Sequence, residues 1–252
     1  MKTILKTAYL GVLSGLMLSV ASSVRAQMDL GAWGVGLSSN LMMVNQFNNV
    51  LSTIRPQPEG TASRIPASLT LSGATKNSAS LSYSPTLVLK QKIVQGYVDR
   101  LKDRNPVASQ AIADNFGSGK YDYGQIYQSL VKDSGLREND TADVMSAYLI
   151  LGYMIVNNVQ DSNAISIPMA QGVRSQVAPM LASNSRLTAP GVPAQLGEEL
   201  KLQTVITQGG WQSAIRENKL SDYQRGIAAL FKNQYGMDLS QVSLTSRGFV
   251  KK

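Results

Sequence analysis

The chain has 252 residues, enough for one substantial domain with appendages or for two small ones. It contains neither cysteine nor histidine, which excludes disulfides, thiolate nucleophiles, lipid attachment through a cysteine, Ser-His-acid and Cys-His systems and the usual zinc sites together. Its net charge of +8 comes without a basic run longer than Lys251-Lys252 and without an aromatic-rich basic stripe, so no nucleic-acid-binding footprint is present.

At the amino terminus Lys2 and Lys6 precede an uncharged apolar stretch from Ala8 to Val24, followed by Val24-Arg25-Ala26. This pattern predicts a secretory signal over 1–26, with the mature chain beginning at Gln27; the competing reading is an uncleaved membrane anchor. Removing Lys2, Lys6 and Arg25 leaves a net charge of +5. The expected compartment is therefore the periplasm or the cell exterior, after cleavage near Ala26.

Residues 27–82 read as a low-order leader. The stretch from Ser52 onward is rich in Ser and Thr, carries Pro56, Pro58 and Pro66, and has no aromatic residue between Phe47 and Tyr83. A short helix is expected around Asn40 to Leu51, where Leu41, Val44, Phe47, Val50 and Leu51 recur at helical spacing. The alternations "SLTLS" and "SLSYS" suit weak strands.

From Tyr83 to the end, residues 83–252, the pattern becomes one of successive helices around a common core, an all-α bundle of about six to seven. The first is expected to start at Ser84-Pro85, to present Leu89, Ile93, Tyr97 and Leu101 with Val94 and Val98 beside them, and to stop near Asn105-Pro106. A second runs from Pro106 to Asn115. A third, from Tyr123 to about Asp133, carries Ile126, Tyr127, Leu130 and Val131 and ends at Gly135. These three are expected to pack as neighbours.

Next comes the most apolar segment, Val144 to Val156, introduced by Asp140 as a cap and Asp143 in the first turn. Thirteen residues make about 20 Å of helix, whereas a bilayer core is about 30 Å thick. The segment is too short to span, and being apolar on every face it predicts a central helix enclosed by others.

Beyond it, a helix is expected from Ser166-Ile167-Pro168 with Met169, Val173, Val177 and Leu181 inward, Pro179 ending or bending its last turn. A further helix from about Ala194 carries Leu196, Leu200 and Val205 and is expected to be interrupted at Gly209-Gly210 before Trp211 and Ile215. The last runs from Ser221, its cap, to Tyr235, with Gly236 as its stop. In the tail, Val242 and Leu244 suit a short strand or a strap across the bundle.

Several short motifs invite chemistry and fail on spacing. "FGSGKY" has Asp114 where a phosphate loop needs glycine and Tyr121 where it needs Ser or Thr, so it reads as an inter-helix turn. "SLVK", Ser129 to Lys132, has the serine-lysine spacing of penicillin-recognising enzymes without their S-D-N and K-T-G elements. "DSGLREND" places Glu138 where a calcium loop needs glycine and Val144 where it needs a bidentate Glu. Glu198 and Glu199 are adjacent on a helix and so diverge, and Glu217 lies near a helix end; no two acids are paired across a groove. Tyr148 and Tyr153 in the central helix read as packing residues with a buried hydroxyl partner. No catalytic residue, metal ligand set or cofactor site is assigned.

Three pieces in this order, "YSPTLVLKQKIVQGYVDRL", "SGLRENDTADVMSAYLILGYMIVN" and "YGMDLSQVSLTSRGFV", resemble a family of exported bacterial helical domains of unknown function, from about Tyr83 to Val250. The resemblance implies a helical domain behind a variable leader and supplies no catalytic residues. The expected function is non-catalytic binding of a protein or cell-envelope component. One alternative is a carboxylate-dependent hydrolase of envelope glycan. Another is a peripheral binder of anionic membrane, if Lys90, Lys92, Arg100, Lys102 and Arg104 share one exposed face.

Overall fold

A computed structural model describes residues 80–252. The expected signal, the Asn40–Leu51 helix and the "SLTLS" strand lie outside the described residues.

Helix α1 spans Leu87–Leu101, and the Thr86 hydroxyl caps it by accepting from the Leu89 amide at 3.1 Å. This start is later than the expected Ser84-Pro85. The amide of Tyr83 is committed to the Asn139 carbonyl, which holds the residues after it extended until Thr86. Ile93, Val94, Tyr97 and Leu101 form the buried stripe that the 3.6-residue period predicts.

Helix α2, Pro106–Phe116, is capped by the Asn105 side chain, and α3, Tyr123–Val131, by Asp122. The expected end of α3 at Asp133 is two residues late, because the chain turns through Gly135 at φ 75°. The three helices do not form the layer expected of neighbours. α1 and α2 pack on each other, but α3 lies mainly on a later helix. Its ties to the first two are the Lys90–Asp122 ion pair at 2.8 Å and an edge contact of Phe116 with Tyr123.

The central helix, α4, spans Thr141–Val156 with Asp140 capping the amides of Ala142 and Asp143. Val144, Met145, Leu149 and Ile155 are fully enclosed. Their neighbours are α5 (Ile167–Ser183), α6 (Val192–Arg216) and α7 (Leu220–Tyr235). The fold is all-α, with seven α-helices among the described residues, this apolar axis being one of them, and among those residues no helix is long and apolar enough to cross a membrane.

Three local expectations are corrected. Pro179 does not end α5, which continues to Ser183. The proline removes one amide donor from the last turn, but Val177 and Leu181 on either side are wholly buried, and packing keeps the helix intact. α6 begins at Val192 and runs unbroken through Gly209 and Gly210; at Gly210 a Cβ would stand 2.6 Å from the Tyr223 hydroxyl, so glycine serves close packing there and not a break. The missing side chain admits α7 and Trp211 is buried beside it. α7 starts at Leu220 with Lys219 at its head and no side-chain cap, so Ser221 falls inside the first turn; Gly236 stops it in the left-handed region, φ 64°.

The tail makes an antiparallel hairpin, β1 (Val242–Thr245) with β2 (Gly248–Lys251), in register Leu244↔Phe249. It straps across α5, where Gly172 admits the hairpin backbone, and Phe249 meets Tyr153 of α4 at 5.8 Å between centroids.

Candidate functional site

The densest polar chemistry lies where the amino-terminal parts of α4 and α6 converge with α3 and the strand-like segment Ser80–Tyr83. α6 is aimed there by Pro193 in its first turn, whose carbonyl accepts from the Thr141 hydroxyl at 2.8 Å. Two helix starts are thereby tied at one buried point.

Glu198 and Lys201, three residues apart on α6, pair at 2.6 Å with exposures of 0% and 2%. One carboxylate oxygen also accepts from the Tyr83 hydroxyl at 3.1 Å and the other from Tyr123 at 2.9 Å. The Lys201 ammonium donates to Asn139 Oδ1 at 2.6 Å and faces the rings of Tyr83 and Tyr127, 5.2 and 5.8 Å from their centroids. Burial lowers the Lys201 pKa against the restoring pull of Glu198, while burial and then the Glu198 charge push both phenols up. Among the described residues the Tyr127 hydroxyl finds no hydrogen-bond partner.

A second cluster adjoins it. Asp140 and Asp143 are held by Arg137, at 2.8 and 2.6 Å, and Arg174 reaches Asp143 at 2.6 Å and Asp140 at 3.9 Å. Ser82 donates to Asp140 at 2.9 Å. Burial raises the Asp143 pKa and the two arginines oppose it. Both acids are thus ion-paired with arginines where they stand.

Along another face of α6, Glu199 accepts from Gln195 at 3.2 Å, and Gln203 bonds the Tyr97 hydroxyl. Arg100 stacks 4.3 Å above the Tyr97 ring. Burial raises the Glu199 pKa. Glu198 and Glu199 thus diverge, as their adjacency predicts, and serve different surroundings. Glu217 is bound by Ser213 and Lys219, which lower its pKa.

No known protein family, curated protein or solved structure matches this chain.

The other sequence motifs fall as their spacings imply. "FGSGKY" is the turn between α2 and α3, closed by the Lys120 amide on the Gly117 carbonyl, with Gly119 at φ 73°. In "SLVK" the Ser129 hydroxyl donates to the Gln125 carbonyl one turn back. Of the acids of "DSGLREND", Asp140 serves as cap and ion-pair partner, and Glu138 accepts from Gln128 at 3.1 Å. Among the described residues no group of three acidic side chains converges as a metal site would require.

Tyr148 packs on Phe231 and shares a hydrogen bond with Tyr235, burial pushing its pKa to about 12. Lys90 and Arg100 are engaged inside the fold, leaving Lys92, Lys102 and Arg104 exposed with Asp99 and Asp103 among them. The five basic residues of α1 and its end do not make a single-sign face. The Glu198–Lys201 cluster was missed in the sequence. Its one local signal is the i,i+3 Glu-Lys spacing, which usually marks a solvated helix face.

Proposed function

We propose that the chain is an exported, non-catalytic helical domain that binds a protein or cell-envelope component. The observation that carries this reading is the closure of the polar clusters. Glu198, Lys201, Asp140 and Asp143 are each bound by neighbouring side chains and shielded from solvent, so they support architecture more directly than turnover. Outward, the body also presents apolar side chains. Leu87 and Val88, in the first turn of α1, are 71% and 74% exposed, and Tyr121 is also exposed. Lys90, one turn after Leu87, reaches Asp122 beside Tyr121, so these side chains flank one ion pair.

The export signal and the family resemblance complete the proposal: cleavage after Ala26 would release a body held behind the leader. Fractionation with amino-terminal sequencing tests the first part, Gln27 being the expected first residue. A photo-cross-linking residue at Val88, activated in cells, tests the second. A discrete adduct that disappears with Leu87→Lys supports the reading. Glycan hydrolysis by the purified chain, abolished by Glu199→Gln, would replace it with the hydrolase.

A further inference from the structure

The segment ahead of α1 is held by a short set of bonds. The Leu81 carbonyl accepts from the Thr141 amide at 2.9 Å and from the Thr141 hydroxyl at 3.1 Å. Ser82 pairs with Asp140 as an isolated bridge, and its hydroxyl reaches that carboxylate at 2.9 Å. The Tyr83 amide donates to the Asn139 carbonyl at 3.0 Å and its hydroxyl to Glu198 at 3.1 Å. Apart from these bonds the seat depends on one buried leucine and one half-buried tyrosine.

The same tyrosine is a cover. Its ring lies against Gly197, where a Cβ would collide with it, and 5.2 Å from the Lys201 ammonium. The remaining walls, Tyr123, Tyr127 and Asn139, belong to the helical body and its loops. Glu198 and Lys201 share one helix turn and do not need the segment to stay paired.

We propose that Leu81–Tyr83 is a latch that opens without unfolding the helices, uncovering the Lys201 amine and releasing the Glu198 oxygen that Tyr83 holds. Local opening of this kind is drawn from segments with few buried apolar contacts, which describes this one.

The test uses the full chain and an acetylating succinimidyl ester, with site-resolved mass spectrometry. In the unaltered protein Lys201 should react far more slowly than exposed Lys92. Tyr83→Ala should raise the Lys201 rate at least about tenfold with Lys92 unchanged and helix content retained, and Tyr83→Phe should fall between. An unchanged Lys201 rate in folded Tyr83→Ala overturns the proposal, as does Lys201 reacting like Lys92 from the outset. Should Tyr83→Ala not fold, hydrogen exchange on the unaltered chain decides. The Tyr83 and Thr141 amides should exchange at least about tenfold faster than those of Met145 to Leu149 in α4. Exchange of all of them together, only on global unfolding, overturns it equally.

Discussion

Lys201 lies over Tyr83, 118 positions earlier in the chain, and is bound on its other sides by Glu198 and Asn139, so one ammonium gathers three separate parts of the fold. A buried pair of this kind is costly to break and need not be costly to replace. Lys201→Met should lower unfolding free energy by about 3 to 5 kcal/mol, since Glu198 is left buried without its cation. Adding Glu198→Gln should recover part of that loss, because the amide oxygen still accepts from a phenol. Urea denaturation in a double-mutant cycle measures the coupling, and simple additivity of the two losses would refute it.

Glu199 supplies a pH signature. Burial raises its pKa, opposed by Gln195 and Arg100, so the folded chain holds this proton more tightly than the unfolded chain. Its contribution to stability is therefore present below the ordinary carboxylate value and is lost as pH rises through the raised one. Glu199→Gln, which cannot ionise, should be more stable than the parent near neutral pH, and the gap should close as pH falls. Denaturation midpoints at several pH values check it; a gap that widens on acidification contradicts it.

Asp140 combines a cap, two arginine contacts and the Ser82 bond. Asp140→Ala should cost at least the roughly 1 to 2 kcal/mol of a lost cap, with more from the buried amides and arginines left behind. Ser82→Ala should cost about 1 kcal/mol or less, since it removes one hydrogen bond. Thermal melts of the two variants should rank in that order.

Two helical glycines are held by what they face. At Gly152 a Cβ would collide with the Phe231 ring, and at Gly172 with the backbone of Ser246 and Gly248. An exposed Gly→Ala change in a helix gains about 1 kcal/mol. Here both should instead lose about 1 to 3 kcal/mol to overpacking. Gly172→Ala should also loosen the hairpin, because backbone cannot rotate away as a side chain can. Limited proteolysis near Arg247 reads this; unchanged cleavage would show that the hairpin shifts as a unit.

The helical body was legible where pattern and burial coincide. Most of Val144 to Val156 is buried because its side chains are almost all apolar, and Asp140 caps the helix as its position foretells. Errors gathered where a distant partner decides a local event. Gly209-Gly210 reads as a break, yet Tyr223 of α7 needs that space and the helix continues. The start of α1 moved to Thr86 because Tyr83 is engaged by Asn139, 56 positions away. Glu198 showed its spacing to Lys201 but not its phenols, which come from 75 and 115 positions upstream. No period in the sequence records such a meeting.

On α5, two residues beyond Arg174, Gln176 treats Phe249 as a strand would. Its amide nitrogen donates to the Phe249 carbonyl at 2.9 Å and its oxygen accepts from the Phe249 amide at 2.9 Å. A two-stranded ribbon otherwise offers its outer peptide groups to any passing chain, the usual route to edge-to-edge aggregation. One glutamine here withdraws that invitation at the ribbon's most apolar residue, and the terminal Lys251 and Lys252 stand in solvent beyond it, where like charge discourages a second copy from aligning.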